Sequence, residues 1–144
     1  MINVPLVARS DCEVDVHDGT FFVVDVSLSP GPCESPESGW LTLSAEDDLV
    51  SLALEVWDEE PEDPREVWTD VSRVLRSETG EICAMEPYTD VRDGFLLLGE
   101  PGRSWNVRVH TWADNEADPR ERFLVRFWPR EAPVGRRTRR SSID

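Results

Sequence analysis

The chain of 144 residues carries 30 acidic residues against 15 basic ones, a net charge of −15, with a hydrophobic content of 39%. A domain of this length can bury enough surface to fold without a structural metal or a disulfide. No segment approaches the roughly 18 apolar residues of a membrane span, and the first residues lack the basic start and apolar core of a secretion signal, so we expect a cytoplasmic protein.

The charge is distributed unevenly along the chain. Every basic residue is Arg, and the last ten residues, "GRRTRRSSID", carry +3, so the rest carries −18. An acidic body repels nucleic acid and attracts basic partners, although acidity also serves solubility alone. Residues 131–144 contain Pro133, Gly135 and no apolar periodicity. We therefore expect a β-sandwich domain at 1–130 and a flexible Arg-rich tail at 131–144.

Strand signals recur at short spacing through the first half of the chain, and helix signals are nearly absent. The segments "CEVDV" (12–16) and "TFFVVDVSL" (20–28) flank "HDG", a turn of the kind that joins hairpins, so we predict that they pair. A loop rich in Pro and Gly follows at 29–39. The next two predicted strands, 40–44 and 49–58, are separated by the acidic turn "AEDD" at 45–48.

The second half continues this pattern after a charged loop with two prolines at 59–66. Residues 67–77 suit either a helix or a strand by their periodicity, and their β-branched content and neighbouring strands favour a strand. The remaining predicted strands are 80–86, 94–100, 104–113 and 122–128. Eight to nine strands joined by turns, with no strand–helix alternation, predict an all-β, single-domain antiparallel β-sandwich.

In each of the last two predicted strands one face is apolar and the other carries polar and aromatic side chains, because successive side chains of a strand point to opposite faces. If they pair as a hairpin across "ADNEADPRE", their apolar faces join in the core. Their other faces then form a second candidate binding face. Arg and aromatic side chains are typical of protein interfaces. The residues of this face are Arg108, His110, Trp112 and Arg126.

Catalytic and cofactor chemistry has little support in the sequence. Neither His17 nor His110 has a nucleophile and an orienting acid at a recognisable spacing, so we expect no enzyme and no catalytic residue. The three cysteines, Cys12, Cys33 and Cys83, have no ligand spacing to a histidine. Glycine motifs that cradle phosphates are absent. We expect no cofactor and no metal, unless the acidic loops cluster at one end of the sandwich and bind calcium.

A family resemblance rests on the order of four segments. An early "VHDGTFFVVD" is followed by "GWLTLSAEDDLVSLALEVWD", then by "GFLLLGEPGRSWNVRVHTW" and finally by "RFLVRFWP". The third contains a Gly-led turn that opens an alternating strand ending in Trp, at Gly102, Trp105, Val107, Val109 and Trp112. This arrangement resembles the ComJ-like family, named for a small inhibitor of a competence DNA-entry nuclease. The "RVH" and the final "WP" are also similar to small proteins of high-GC Gram-positive bacteria.

The resemblance implies an inhibitor, and the charge agrees, because a nuclease presents a basic cleft to phosphates. Our hypothesis is an acidic inhibitor or immunity-type protein that blocks a basic protein partner and contacts neither nucleic acid nor membrane directly. The alternative is a β-sandwich accessory or ligand-binding module, with calcium as a candidate ligand. The sequence leaves the oligomeric state open. The candidate partner-binding residues are Glu46, Asp47, Asp48, Trp57, Asp58, Glu59, Glu60, Glu62, Asp63 and Trp68.

Overall fold

A computed structural model describes residues 5–28, 39–64, 69–89 and 91–130 of the chain. The candidate Trp68, Cys33 and the predicted tail at 131–144 lie outside these ranges. Within them no helix could cross a membrane. The strands are β1 (Leu6–Asp15), β2 (Thr20–Asp25), β3 (Trp40–Ser44), β4 (Leu49–Trp57), β5 (Thr69–Ser77), β6 (Glu81–Met85), β7 (Arg92–Leu97), β8 (Arg103–Ala113) and β9 (Glu121–Pro129).

The strands form two sheets that pack face to face. The five-stranded sheet has the order β1-β4-β9-β8-β5, and the four-stranded sheet has the order β3-β2-β6-β7. The predicted all-β sandwich is confirmed. One pair differs from the antiparallel rule: β4 and β9 run parallel, with Val50 opposite Glu121 and Val56 opposite Phe127. Alternation along a single strand cannot reveal this direction, because it depends on which strands become neighbours.

The core lies between the two sheets and is built from every second residue of each central strand. Phe21 of the smaller sheet meets Phe123 of the larger one edge to face, with ring centroids 5.0 Å apart. The predicted alternation of β8 and β9 is confirmed, since their inward side chains are buried, and the inward side chains of β4 are buried in the same way. These inward side chains are Leu52, Leu54, Val56, Trp105, Val107, Val109, Phe123, Val125 and Phe127.

The two predicted hairpins have different outcomes. The hairpin of β8 and β9 is confirmed, and it places Arg108 directly opposite Arg126. The hairpin predicted between 12–16 and 20–28 is wrong. β1 pairs with β4, whereas β2 pairs with β3 and β6, so the turn between them carries the chain from one sheet to the other. Both strands have an apolar face to bury, and a sandwich buries such faces against each other when the strands belong to different sheets.

The ambiguous segment 67–77 contributes the edge strand β5, which pairs with β8 along its whole length. Leu75 lies opposite Trp105 and is fully buried, while Asp70 and Ser72 lie on the outer face. The strand prediction is therefore confirmed for residues 69–77. The segment forms a strand because its backbone N–H and C=O groups can hydrogen-bond to β8 on one side, so these groups do not need a helix to be paired.

Asp25, at the end of β2, ties the smaller sheet to the turn between β5 and β6. Its carboxylate is 1% exposed and accepts hydrogen bonds from the hydroxyl of Ser77, from the backbone and hydroxyl of Thr79, and from the backbone and hydroxyl of Ser27. Burial alone raises the pKa of this carboxyl, but the hydrogen bonds outweigh burial and lower the pKa to about 2. The junction is thus held by a buried, fully bonded carboxylate.

Candidate functional site

Three connections that carry acidic side chains converge at one end of the sandwich. They are the β1–β2 turn, the turn before β4, and the β8–β9 loop. The strand register places all three at the same end, because Asp15 lies opposite Leu49 at the start of β4, and Ala113 lies opposite Glu121 at the start of β9. We call this surface the acidic end. Its residues are Asp15, Asp18, Glu46, Asp47, Asp48, Asp114, Glu116 and Asp118.

The acidic end is held in a defined shape by its own backbone. The carboxylate of Glu121, 8% exposed, accepts hydrogen bonds from the backbone nitrogens of Glu46 and Asp47, each at 2.9 Å. The Asp47 carboxylate also binds Arg120 at 3.0 Å, and this hydrogen bond raises the pKa of the guanidinium. The side chains of Glu46 and Asp48 remain exposed. The backbone of the turn is therefore fixed before any partner binds.

The second predicted acidic segment, 58–63, lies at the opposite end of the same strand. The nine residues of β4 separate the two segments, about 26 Å of extended chain. The two acidic segments therefore do not cluster at one end, which removes the geometric basis of a calcium site between them. Within the described ranges no group of three or more His, Cys, Asp or Glu side chains could hold a metal ion.

The segment 58–64 folds over the outer face of the five-stranded sheet and contacts Arg108. The Arg108 guanidinium lies 3.1 Å from the Asp63 carboxylate and 3.5 Å from that of Glu60, and a third carboxylate, Asp70 of β5, approaches to 3.2 Å. Pro61 of the segment is buried. The structure thus brings together two candidate sets that the sequence analysis treated separately, the acidic segment and the Arg/His face.

A row of charges crosses three neighbouring strands of this face. The Glu55 carboxylate, 4% exposed, binds Arg9 of β1 at 2.6 Å and Arg126 of β9 at 3.1 Å. It also accepts a hydrogen bond from Trp57 Nε1 at 2.9 Å. The guanidinium of Arg126 lies over the ring of Trp57, 5.2 Å from its centroid. This row anchors Trp57, so the predicted aromatic contact residue is held at the rim of β4 by charge-assisted hydrogen bonds.

His110 is the least accessible polar residue of this face. It is 1% exposed, and neither of its ring nitrogens has a hydrogen-bond partner among the described residues. Burial lowers the pKa of the imidazole; Asp70 opposes this shift, and Arg126 adds to it. The side chain lies beside Pro61 and Trp128 under the segment 58–64. A neutral, unpartnered imidazole therefore stands next to two arginines.

Sequence reasoning found some of these residues and missed others. Arg108, His110, Trp112 and Arg126 share the outer face as predicted, and Trp57 joins them. Asp58 and Glu59 are exposed and have no partner in the described ranges. Glu62 is also exposed, and its backbone carbonyl accepts a hydrogen bond from Arg126. The missed residues are Arg9, Glu55 and Trp128 of the outer face and the acids at 15, 18, 114, 116 and 118. Strand alternation could have indicated Trp128, but only the strand order indicates the others.

The remaining chemistry-bearing residues do not assemble a catalytic group. His17 contacts Glu86 at 3.3 Å beside the β1–β2 turn. Cys12 and Cys83 are free thiols; burial raises the pKa of Cys12 to about 12 and also raises that of Cys83. A thiol with a raised pKa is a poor nucleophile at neutral pH. In the described residues, no histidine or cysteine has the neighbours that nucleophilic catalysis requires.

A groove opens between the two sheets on the side where β3 and β5 form their edges. Its volume is about 250 Å³, and apolar side chains line most of it. Arg73, which points inward from β5, stands at its rim. The opposite side of the sandwich is closed, since Ser10 of β1 donates a hydrogen bond of 2.8 Å to the carbonyl of Gly94 in β7. The lining residues include Leu41, Leu43, Val71, Val109 and Phe123.

No protein-family model matches this chain, and no curated protein matches it by sequence. Solved structures are nevertheless similar. ComJ from Bacillus subtilis, an inhibitor of the DNA-degrading activity of NucA, matches 90% of this chain and 100% of its own length, with a TM-score of 0.66 and 10% identity. A protein described as crocagin biosynthetic gene J matches 86% and 98%, with a TM-score of 0.64 and 10% identity. The resemblance seen in the segment order is thus confirmed as a shared fold: this chain has the fold of ComJ.

Proposed function

We propose that this protein is an inhibitor that binds a basic protein partner through its acidic end and blocks the partner's active cleft without catalysing a reaction. The observation that carries the proposal is the convergence of three acidic connections at one end of the sandwich, on a turn fixed by Glu121. A preformed charged surface loses little conformational entropy on binding.

The electrostatics of the acidic end suit an inhibitor of this kind. Complementary charge accelerates encounter to about 10⁸–10⁹ M⁻¹s⁻¹ at low salt, against about 10⁵–10⁶ for neutral surfaces. The acidic end contains one ion-paired arginine, Arg120, against its many carboxylates. Because exposed charges are screened over about 8 Å at physiological ionic strength, binding through this end weakens as salt rises.

A nuclease is the partner class that best fits these features. An enzyme that grips phosphates needs a basic cleft, and an acidic surface can occupy such a cleft in place of nucleic acid. ComJ, which has the same fold, inhibits a DNA-degrading enzyme. The free thiols of Cys12 and Cys83 are consistent with a reducing compartment, so we propose the cytoplasm as the site of action.

The test is to capture partners from host lysate on the immobilised full chain, elute them with salt, and assay each for inhibition of DNA degradation by the soluble chain. We expect a basic nuclease that is released at moderate salt and is inhibited in solution. The variant Glu46→Gln/Asp48→Asn should weaken inhibition, whereas Asp58→Asn/Glu59→Gln, with the same charge change at the opposite end, should not.

Two results would contradict the proposal. One is that no captured protein loses activity when the soluble chain is added. The other is that Asp58→Asn/Glu59→Gln weakens inhibition as much as Glu46→Gln/Asp48→Asn. That result would mean that the partner binds elsewhere or that binding depends only on the net charge of the protein.

The groove between β3 and β5 favours a second candidate function, a ligand-binding module for a small apolar molecule. Its size is close to the lower range of ligand pockets, about 300 Å³. Thermal shift against a panel of small apolar compounds tests this function. A compound that raises the melting temperature of the wild type but not of Val71→Phe, which fills the groove, would support it; no stabilisation by any compound would argue against it.

A further inference from the structure

Two arginines lie directly opposite each other on β8 and β9, which is an unfavourable arrangement by itself. Arg108 and Arg126 are register partners, and like charges in opposed positions repel. Both are more than three-quarters buried as side chains. Such a pair persists only where anions are supplied to it. Here Glu55 and Asp70 supply part of the negative charge from neighbouring strands.

Polar atoms beneath the segment 58–64 lack partners. Arg108 Nε and both ring nitrogens of His110 are buried and have no hydrogen bond among the described residues. An unsatisfied buried polar group is costly, because it has lost its hydrogen bonds to water. The residues that carry these atoms line one small pocket with Arg126 and Trp128, which has no room for a water molecule while the segment covers it. An acceptor for these atoms can therefore enter only when the segment moves away.

The segment itself occupies the mouth of this pocket with groups that resemble an anionic ligand. Carboxylates of Glu60 and Asp63 approach Arg108, and the carbonyl of Glu62 accepts a hydrogen bond of 2.8 Å from Arg126. Pro61 also lines the pocket. The two carboxylate side chains are 59% and 57% exposed. Ion pairs with such exposed partners are weak, so a dianion can compete with these carboxylates for Arg108.

We infer that residues 60–63 of this segment form an acidic lid over a phosphate-binding site whose donors are Arg108, His110 and Arg126. Guanidinium groups bind phosphate oxygens through paired N–H donors. The imidazole adds an N–H donor from a third side chain, which suits the several oxygens of a tetrahedral dianion. When phosphate enters, it replaces the lid carboxylates on Arg108 and supplies the acceptor that His110 lacks. The phosphate site shares no residue with the acidic end. The proposed function can therefore be wrong while this inference is right, and this inference can be wrong while the proposed function is right.

Charged groups reach His110 from each surrounding element. Arg108 is on its own strand and Arg126 on β9, while Asp70 belongs to β5 and Asp63 to the lid. Binding of a dianion favours the imidazolium, which donates from both nitrogens. Phosphate should therefore raise the pKa of His110, and a role confined to packing would not produce that change.

The experiment titrates inorganic phosphate into the full chain at constant ionic strength, with sodium chloride as the matched reference, and follows the imidazole resonances of His110. The lid variant Glu60→Gln/Asp63→Asn removes the competing carboxylates. We expect it to bind phosphate about tenfold more tightly than the wild type, since two weak ion pairs no longer compete. The control Asp58→Asn/Glu59→Gln makes the same charge change in the same segment and should stay within about twofold of wild type.

A third variant, Arg108→Gln, should lose phosphate binding while it keeps the fold seen in the amide spectrum. The inference is overturned if the lid variant binds phosphate no more tightly than the control variant. It is equally overturned if the His110 resonances do not respond to phosphate in any variant, or if Arg108→Gln binds as well as wild type. Opposite effects of the lid and Arg108 variants would confirm it.

Discussion

The buried carboxylate of Asp25 leads to a quantitative prediction about stability. Its pKa falls from 3.8 to about 2 in the folded protein. The folded state therefore binds the proton less readily than the unfolded state, and the group stabilises the fold at neutral pH. At 1.36 kcal/mol per pKa unit, a difference of nearly two units corresponds to about 2 kcal/mol of stability. Because the folded pKa is depressed, this contribution is complete above about pH 5 and is lost as the pH falls from about 4 towards 2.

The perturbation that tests this is Asp25→Asn, which removes the charge and keeps the size. Both carboxylate oxygens accept hydrogen bonds, from Ser27 on one and from Ser77 and Thr79 on the other, and the amide replaces one of them with an NH₂ donor. We expect the free energy of unfolding at pH 7 to fall by about 2–4 kcal/mol. Urea denaturation of both proteins at pH 7, 4, 3 and 2 gives the difference at each pH. The difference should shrink by about 2 kcal/mol by pH 2.

The variant Asp58→Asn serves as the control, since Asp58 is exposed and has no partner in the described residues. It should leave both the stability and its pH dependence unchanged within about 0.5 kcal/mol. A difference between wild type and Asp25→Asn that stays constant from pH 7 to pH 2 would refute the reasoning. It would mean that the loss comes from altered packing and not from the ionised carboxylate.

Three further predictions concern other parts of the fold. Glu55→Gln should cost about 3–5 kcal/mol in urea denaturation, because it leaves Arg126 buried without its carboxylate; a loss below about 1 kcal/mol would contradict this. Gly80→Ala should lower the melting temperature strongly, since Gly80 has φ +84° and a Cβ would lie 2.2 Å from the Gly99 carbonyl; an unchanged melting temperature would count against it. In a Cys33→Ser background, Cys12 should react with iodoacetamide at pH 8 far more slowly than in urea, because burial raises its pKa to about 12; equal rates would disprove the burial argument.

Local sequence patterns were sufficient to predict most of the strands. The segment 40–44 is predicted with the bounds that the structure has, β1 begins at Leu6 and not at residue 12, and the other strands shift by at most three residues at their ends. Period-two alternation is a property of a single strand, and it correctly placed Val107 and Arg108 on opposite faces. The turn at 17–19 was also recognised, but its hairpin was wrong, because turn chemistry does not decide whether the next strand stays in the same sheet.

The candidate sites depended on the strand order, which the sequence does not carry locally. Glu46 and Asp48 are predicted as contacts, yet only the register places Asp15 and the β8–β9 loop at the same end of the sandwich. In the same way the acidic segment at 58–63 was predicted to face a partner, and the structure folds it onto the protein's own Arg108.

The amino-acid sequence by itself determined the fold class, the inward and outward faces of the central strands, and the excess of negative charge. These follow from side-chain chemistry and from a period that any isolated strand shows. Tertiary structure decided that β4 lies parallel to β9, that Arg108 opposes Arg126, and that His110 is buried without a partner. Such features arise because residues far apart in the chain become neighbours only when the two sheets pack, and burial then sets the cost of every unpaired polar group.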